Sequence, residues 1–161
     1  MAMADDRQFE VEEWCFCRSI GVDKKGPIPI DRLSDPAEAK GNDKLHLSMR
    51  ISVNANGIKY LRQLNKLPVY HAWGRNGWVE GRTIDIGLDA RKWQGEKKAI
   101  EDEIRLRNGT FDWRTYSEKV YYIYDGEHYV SVLDANRRPV VLSRDRYTAF
   151  RPSIHIKVKE N

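Results

Sequence analysis

No apolar run in the chain approaches the ~18–20 residues that a membrane-spanning helix needs, so no membrane association is expected. Met1-Ala2-Met3-Ala4-Asp5-Asp6 lacks a basic segment followed by an apolar stretch, which predicts no secretory leader. Cysteine is scarce: Cys15 and Cys17 stand alone, with no second Cys pair and no closely spaced His pair to complete a zinc site. Two residues apart in a strand, they share one face, and they are expected as buried thiols of a reducing, cytoplasmic compartment. Also missing are a Gly-rich phosphate loop, a nucleophile elbow, a zincin helix and an acidic metal cluster. The familiar nucleotide-hydrolysing, acyl-transfer and metalloenzyme classes are therefore unsupported, and neither cofactor nor metal is expected.

What remains is the composition of a globular protein. At 161 residues, with 40% apolar and 32% charged side chains, the chain is predicted to form one domain over residues 1–161. The net charge of +4 is unevenly spread: residues 44–94 hold nine Lys and Arg against three Asp and Glu. A local excess of this kind attracts phosphate.

Aromatic and β-branched residues from Phe9 to Ile20 predict a strand whose alternation slips once, the mark of a bulge. Residues 21–43 hold three of the six prolines and three of the eleven glycines, and are expected as a long irregular loop. From Leu45 to Val53 apolar and polar residues alternate strictly, predicting a strand with one wet face. Asn54-Ala55-Asn56-Gly57 has turn chemistry, and the following IKYLRQLNKL fits a strand or a short helix equally. A helix is predicted over about 89–107, with Trp93, Ile100 and Ile104 on one stripe, Asp89 as N-cap and Asn108-Gly109 as stop. Beyond it, Lys119–Tyr124, Glu127–Leu133, Pro139–Leu142 and Ile154–Val158 are spaced like a meander. The expected class is α+β: a β-rich domain of one or two antiparallel sheets with one main packed helix.

The firmest local feature is a hairpin, Val69–Trp73 and Trp78–Ile86 around Asn76-Gly77. It sets Arg75 and Arg82 beside His71, Trp73 and Trp78, joining cationic and π surfaces on a two-stranded ribbon. Such a ribbon fits the DNA major groove, and its rings can stack on unpaired bases. Lys59 and Arg62 precede it and extend the basic character, so a non-catalytic duplex-DNA-binding role leads the expectations. The structural alternative is that Trp73 and Trp78 are core aromatics and Arg75 a solvated turn residue.

Residues 69–118 also carry a family likeness. Gly87-Leu88 ends the hairpin, the helix closes on Glu103-Ile104, and Gly109-Thr110-Phe111-Asp112-Trp113 follows directly, ahead of Tyr116. This third of the chain resembles the amino-terminal arm-binding domain of phage-type tyrosine recombinases. The resemblance implies a three-stranded sheet backed by one helix, and duplex DNA as partner. It implies no strand transfer, because the recombinase catalytic tyrosine and arginine cluster have no counterpart here.

Two other functions compete. His46 and His155 are predicted on polar strand faces, and a histidine pair with Lys157 would suit phosphodiester or RNA cleavage, with Arg151 and Tyr147 nearby in sequence. His46-Leu47-Ser48 resembles half of the paired signature of two-histidine phosphoesterases. The other half is absent, since Lys157 and Val130 occupy the hydroxyl position after His155 and His128. Finally, Tyr116, Tyr121, Tyr122, Tyr124, Tyr129 and Tyr147 concentrate in the C-terminal third. With arginine they form the composition of interface hot spots, as in an immunity or inhibitor protein.

Overall fold

The computed structural model describes residues 7–119 and 122–159; of Arg146 and Tyr147 it describes the backbone alone. The chain runs β1 (Phe9–Asp23), β2 (Gly26–Arg32), β3 (Ala37–Ala39), β4 (His46–Val53), α1 (Ala55–Leu64), β5 (Tyr70–Arg75), β6 (Trp78–Val79) and β7 (Ile84–Asp85). It continues through α2 (Ala90–Leu106), β8 (Phe111–Glu118), β9 (Gly126–Leu133), β10 (Val141–Leu142), β11 (Asp145–Ala149) and β12 (Ser153–Val158). The fold is α+β and β-rich. Strands order as β11-β10-β1-β4-β8 in the first sheet, with β2 also on β1, and as β3-β12-β9-β5-β6 in the second, with β7 also on β5.

Apolar alternation decides which faces meet. In the first sheet Phe16, Leu47 and Ser117 lie abreast, as do Val11, Ile51 and Trp113, and these rows face the second sheet. Phe16 meets Trp73 of β5 with ring centroids 6.0 Å apart, and Thr115 donates to the carbonyl of Ile86 at 2.5 Å. Both sheets and both helices feed one core in which Leu47, Ile51, Trp93, Phe111 and Ile154 are fully buried. The slip in β1 is a register shift between Val11 and Glu13. It restores Trp14 and Phe16 to the inner face after Phe9 and Val11.

Several expectations are corrected. Residues 21–43 are not a long loop: β1 runs on to Asp23, turns through Lys24 and Lys25, and returns as β2, with β3 following. Pro27 and Pro29 are compatible with this because β2 is an edge strand and its outer side needs no donors. The hairpin arches over the outer face of β4 and β8, where Asp23 meets Arg114 at 2.8 Å. The supposed wet face of β4 is thereby covered, and His46 and Ser48 are buried.

Asn54 does not begin a hairpin turn. It caps α1, its side chain accepting from the Gly57 backbone N–H at 3.1 Å. Gly57 is required there, since a Cβ would lie 2.2 Å from the Gln8 carbonyl oxygen. The ambiguous IKYLRQLNKL is thus helical to Leu64, which adds a second helix to α2. Asp89 caps α2 through Lys92 N–H at 2.7 Å, as expected.

The C-terminal strands form no simple meander, because β9 and β12 join the second sheet while β10 and β11 join the first. Nor is the pairing all antiparallel: β10 runs parallel to β1, and β3 parallel to β12. Residues 120 and 121 of the expected strand at Lys119–Tyr124 lie outside the described residues.

Candidate functional site: an exposed hairpin held from below

Asn76 and Gly77 both take positive φ, 52° and 87°, which matches the strand twist and closes β5 on β6 in two residues. Arg75 pairs with Trp78 and Gly74 with Val79 across the ladder. Gly74 has no alternative, because a Cβ there would lie 2.2 Å from the Tyr129 ring. The return strand presents its apolar side chains to solvent: Trp78 is 77% and Val79 67% exposed. Tyr124, 53% exposed, lies beneath the Arg75 guanidinium at 5.0 Å.

Polar groups fix this ribbon from below. Arg75 Nη1 donates to the Asp125 carbonyl at 2.9 Å. Asn76 exchanges two hydrogen bonds with the Glu127 backbone, both 2.9 Å. At the end of β6, Glu80 lies 3.6 Å from Arg75 and takes a 2.7 Å contact from Lys119 Nζ, whose side chain is almost wholly buried. A buried ammonium requires such a carboxylate. Glu80 therefore ties the hairpin to β8.

The predicted nucleic-acid residues are not brought together as a surface. His71 and Trp73 are corrected to core positions. Trp73 Nε1 donates to Ser117 Oγ at 2.9 Å, and His71 Nδ1 lies 2.6 Å from the same oxygen. Burial alone pushes the His71 pKa down to about 3, so the ring is neutral at physiological pH. Strict alternation in β5 explains both positions, as odd-numbered residues up to Trp73 face the core. Arg62, on α1, is engaged by Glu101 of α2 at 2.5 and 2.9 Å, while Lys59 is exposed on the same helix. Arg75 is partnered as above, which leaves Trp78 and Arg82 as exposed members of the set on the ribbon itself.

The proposed catalytic histidines are also separate. His46 is buried on β4 of the first sheet, 3.7 Å from Glu118 and edge-on to Tyr116. His155 is exposed on β12 of the second, between Asp35 at 3.2 Å and Glu127 at 3.0 Å. Lys157 follows His155 on the exposed face of β12, and Arg151 stacks 3.7 Å over Tyr129. His155 is thus a surface ion-pair residue, and no two-histidine pair is assembled.

Of the tyrosines expected at an interface, Tyr122 and Tyr124 are exposed and Tyr116 partly so, whereas Tyr129 is buried. Tyr121 and the Tyr147 side chain lie outside the described residues. Val79 and Glu80 escaped the sequence reading. Nothing in a two-residue strand marks one side chain as exposed and the next as a structural anchor.

Among the described residues no helix is long and apolar enough to cross a membrane, and no three His, Cys, Asp or Glu side chains are placed to hold a metal ion. Comparison with known protein families and with curated proteins finds no match to this chain.

Proposed function

We propose that this chain is a non-catalytic binding module that engages a partner protein through the β5–β6 hairpin. Trp78, Val79 and Tyr124 supply the apolar contact, and Arg75, held over Tyr124, belongs to the fixed base of the ribbon. The observation that carries this reading is the exposure of Trp78 and Val79 on a ribbon whose backbone and flanking charges are already fixed. Tryptophan, tyrosine and arginine dominate interface hot spots, and a preformed surface binds with little ordering cost. β6 also ends the strand path of its sheet, which leaves backbone groups for an incoming strand. A reducing, cytoplasmic setting suits the free thiols of Cys15 and Cys17.

The test is quantitative affinity capture from the native host with wild-type protein, Trp78→Ala and, as a distant control, Leu106→Ala at the end of α2. A stoichiometric protein partner held by wild type and the control, and lost with Trp78→Ala, supports the reading. Equal recovery with all three proteins removes the hairpin from it.

Duplex DNA is the second reading, supported by the exposed Trp78 and Arg82 on the ribbon and by the resemblance of residues 69–118 to recombinase arm-binding domains. It requires binding that weakens steeply with salt and is reduced by Arg82→Ala. It is the weaker reading because Arg62 and Arg75 are engaged by carboxylates or carbonyls of the same chain.

A further inference from the structure

The second sheet turns one face into the core and the other to solvent. Alternation along β5 and β9 sends His71, Trp73, Val130 and Val132 inward, where all four are buried. The residues between them make up the outer rows: Tyr70 beside Leu133, Ala72 beside Ser131, and Gly74 beside Tyr129, with Ser153 of β12 completing the last. Among the described residues no helix lies on these rows, since α1 packs against β4 and α2 against β8, both in the first sheet.

Two guanidiniums rest on this open face. Arg137, in the turn between β9 and β10, sits 4.4 Å over the Tyr70 ring, and Arg151, just before β12, sits 3.7 Å over Tyr129. Both arginines are exposed, and among the described residues neither guanidinium meets a carboxylate or a carbonyl. Stacking leaves each with its in-plane N–H donors and an outer π surface. Arg137 holds a left-handed backbone, φ 60°, which is disfavoured for a residue with a side chain. Asp134 fixes that turn: its carbonyl accepts from Arg137 N–H at 2.9 Å, and its carboxylate accepts from the N–H groups of Asn136 and Arg138. The guanidinium is thus placed before any ligand arrives.

Charge marks out the same area. Asp85, opposite Tyr70, is turned onto the N–H groups of Val69 and Gly87 at 3.2 and 2.9 Å, and two arginines outweigh it. One row beyond Tyr129 the character changes, with Glu127 and Asp35 on either side of His155.

We propose that this face binds a short run of single-stranded nucleic acid. One base lies on each guanidinium plane, phosphates meet the guanidinium N–H edges, and the strand crosses Ala72 and Ser131 between them. Tyr129 is in register with Gly74, four residues along β5 from Tyr70, so the two stacks stand ~14 Å apart at ~3.3 Å per residue and ~4.8 Å between strands. Each stack therefore serves a separate base, and the small side chains between them leave a flat floor. A duplex keeps its bases stacked on one another and offers neither arginine a base face, which selects single strands. An acidic peptide would answer the charge and leave both π surfaces unused.

The experiment is fluorescence anisotropy of the full chain with labelled oligouridylate, oligoadenylate and oligothymidylate of about eight nucleotides, beside a duplex of the same length and polyglutamate. Saturable binding of single strands is expected, about ten-fold tighter than the duplex, with log affinity falling against log salt at a slope of about −1.4 for two phosphates. Arg137→Ala and Arg151→Ala each weaken it about ten-fold, the loss of one stacked base. Arg151→Lys, which keeps the charge without the plane, weakens it nearly as much, and Lys98→Ala on α2 leaves it unchanged. No saturable binding of any single strand, tighter binding of the duplex, equal binding of polyglutamate, or full affinity in both arginine-to-alanine variants overturns the proposal. Full affinity in Arg151→Lys overturns the stacking role given to that guanidinium.

Discussion

His71 makes the stability of this fold pH-dependent in a range where its carboxylates are still charged. In the folded chain the imidazole is fully buried against Ser117 and Trp73, with its pKa depressed to about 3. In the unfolded chain it titrates near ~6.5. Between those values the unfolded state binds the extra proton, so stability rises with pH and is lost as pH falls below about 6.5. From pH 7 to pH 5 the loss from this residue alone is about 2 kcal/mol. His128 is likewise depressed, mainly by burial, and adds in the same direction. The informative variant is His71→Asn, which keeps a polar atom near the Nδ1 position but cannot titrate. Urea unfolding at pH 7, 6 and 5, followed by fluorescence of the buried Trp73 and Trp93, measures both proteins. His71→Asn is less stable than wild type at pH 7, and its stability falls by about 2 kcal/mol less on going to pH 5. Parallel pH profiles for the two proteins would refute the buried, neutral assignment.

Other substitutions test the separation of core from contact surface. Trp73→Ala costs ~3–5 kcal/mol in urea unfolding, as expected for a buried aromatic that also donates to Ser117, whereas Trp78→Ala stays within about 0.5 kcal/mol of wild type. Similar losses for the two would show that the ribbon is packed differently. Glu80→Gln leaves the Lys119 ammonium buried without its counter-charge and costs about 3 kcal/mol, measured in the same way. Gly126→Ala puts a Cβ 2.5 Å from the Asn76 side chain at a backbone φ of 135°, and lowers the melting temperature. A neutral Gly126→Ala would mean that Asn76 does not dock on that segment.

Where periodicity and caps were strong, the sequence was enough. The β4 alternation, the α2 stripe with its Asp89 cap and the Asn76-Gly77 turn each follow from local rules that tertiary contacts did not override. The arch of β1 and β2 was hidden because Pro27 and Pro29 argue against a strand unless its outer edge is known to be free. α1 was hidden because Asn54 and Gly57 are equally good turn and cap residues, and the close approach of Gln8 that demands glycine is a long-range fact. Burial was the larger gap. Hairpin chemistry located Arg75, Trp73 and Trp78 together, but which indole faces solvent depends on the second sheet packing against the first. The outer face of β4 looked wet for the same reason. Its alternation was correct, and the β1–β2 hairpin, earlier in the chain, covers it.

The proposed function depends on the β5–β6 ribbon serving as a contact surface for another protein. Placing a photo-crosslinking amino acid at position 78, and at position 106 as the control, and irradiating in the native host measures that contact directly. A discrete adduct at position 78, sensitive to protease and resistant to nuclease, with none at position 106, is the predicted result. No adduct at position 78, or one removed by nuclease, would contradict it.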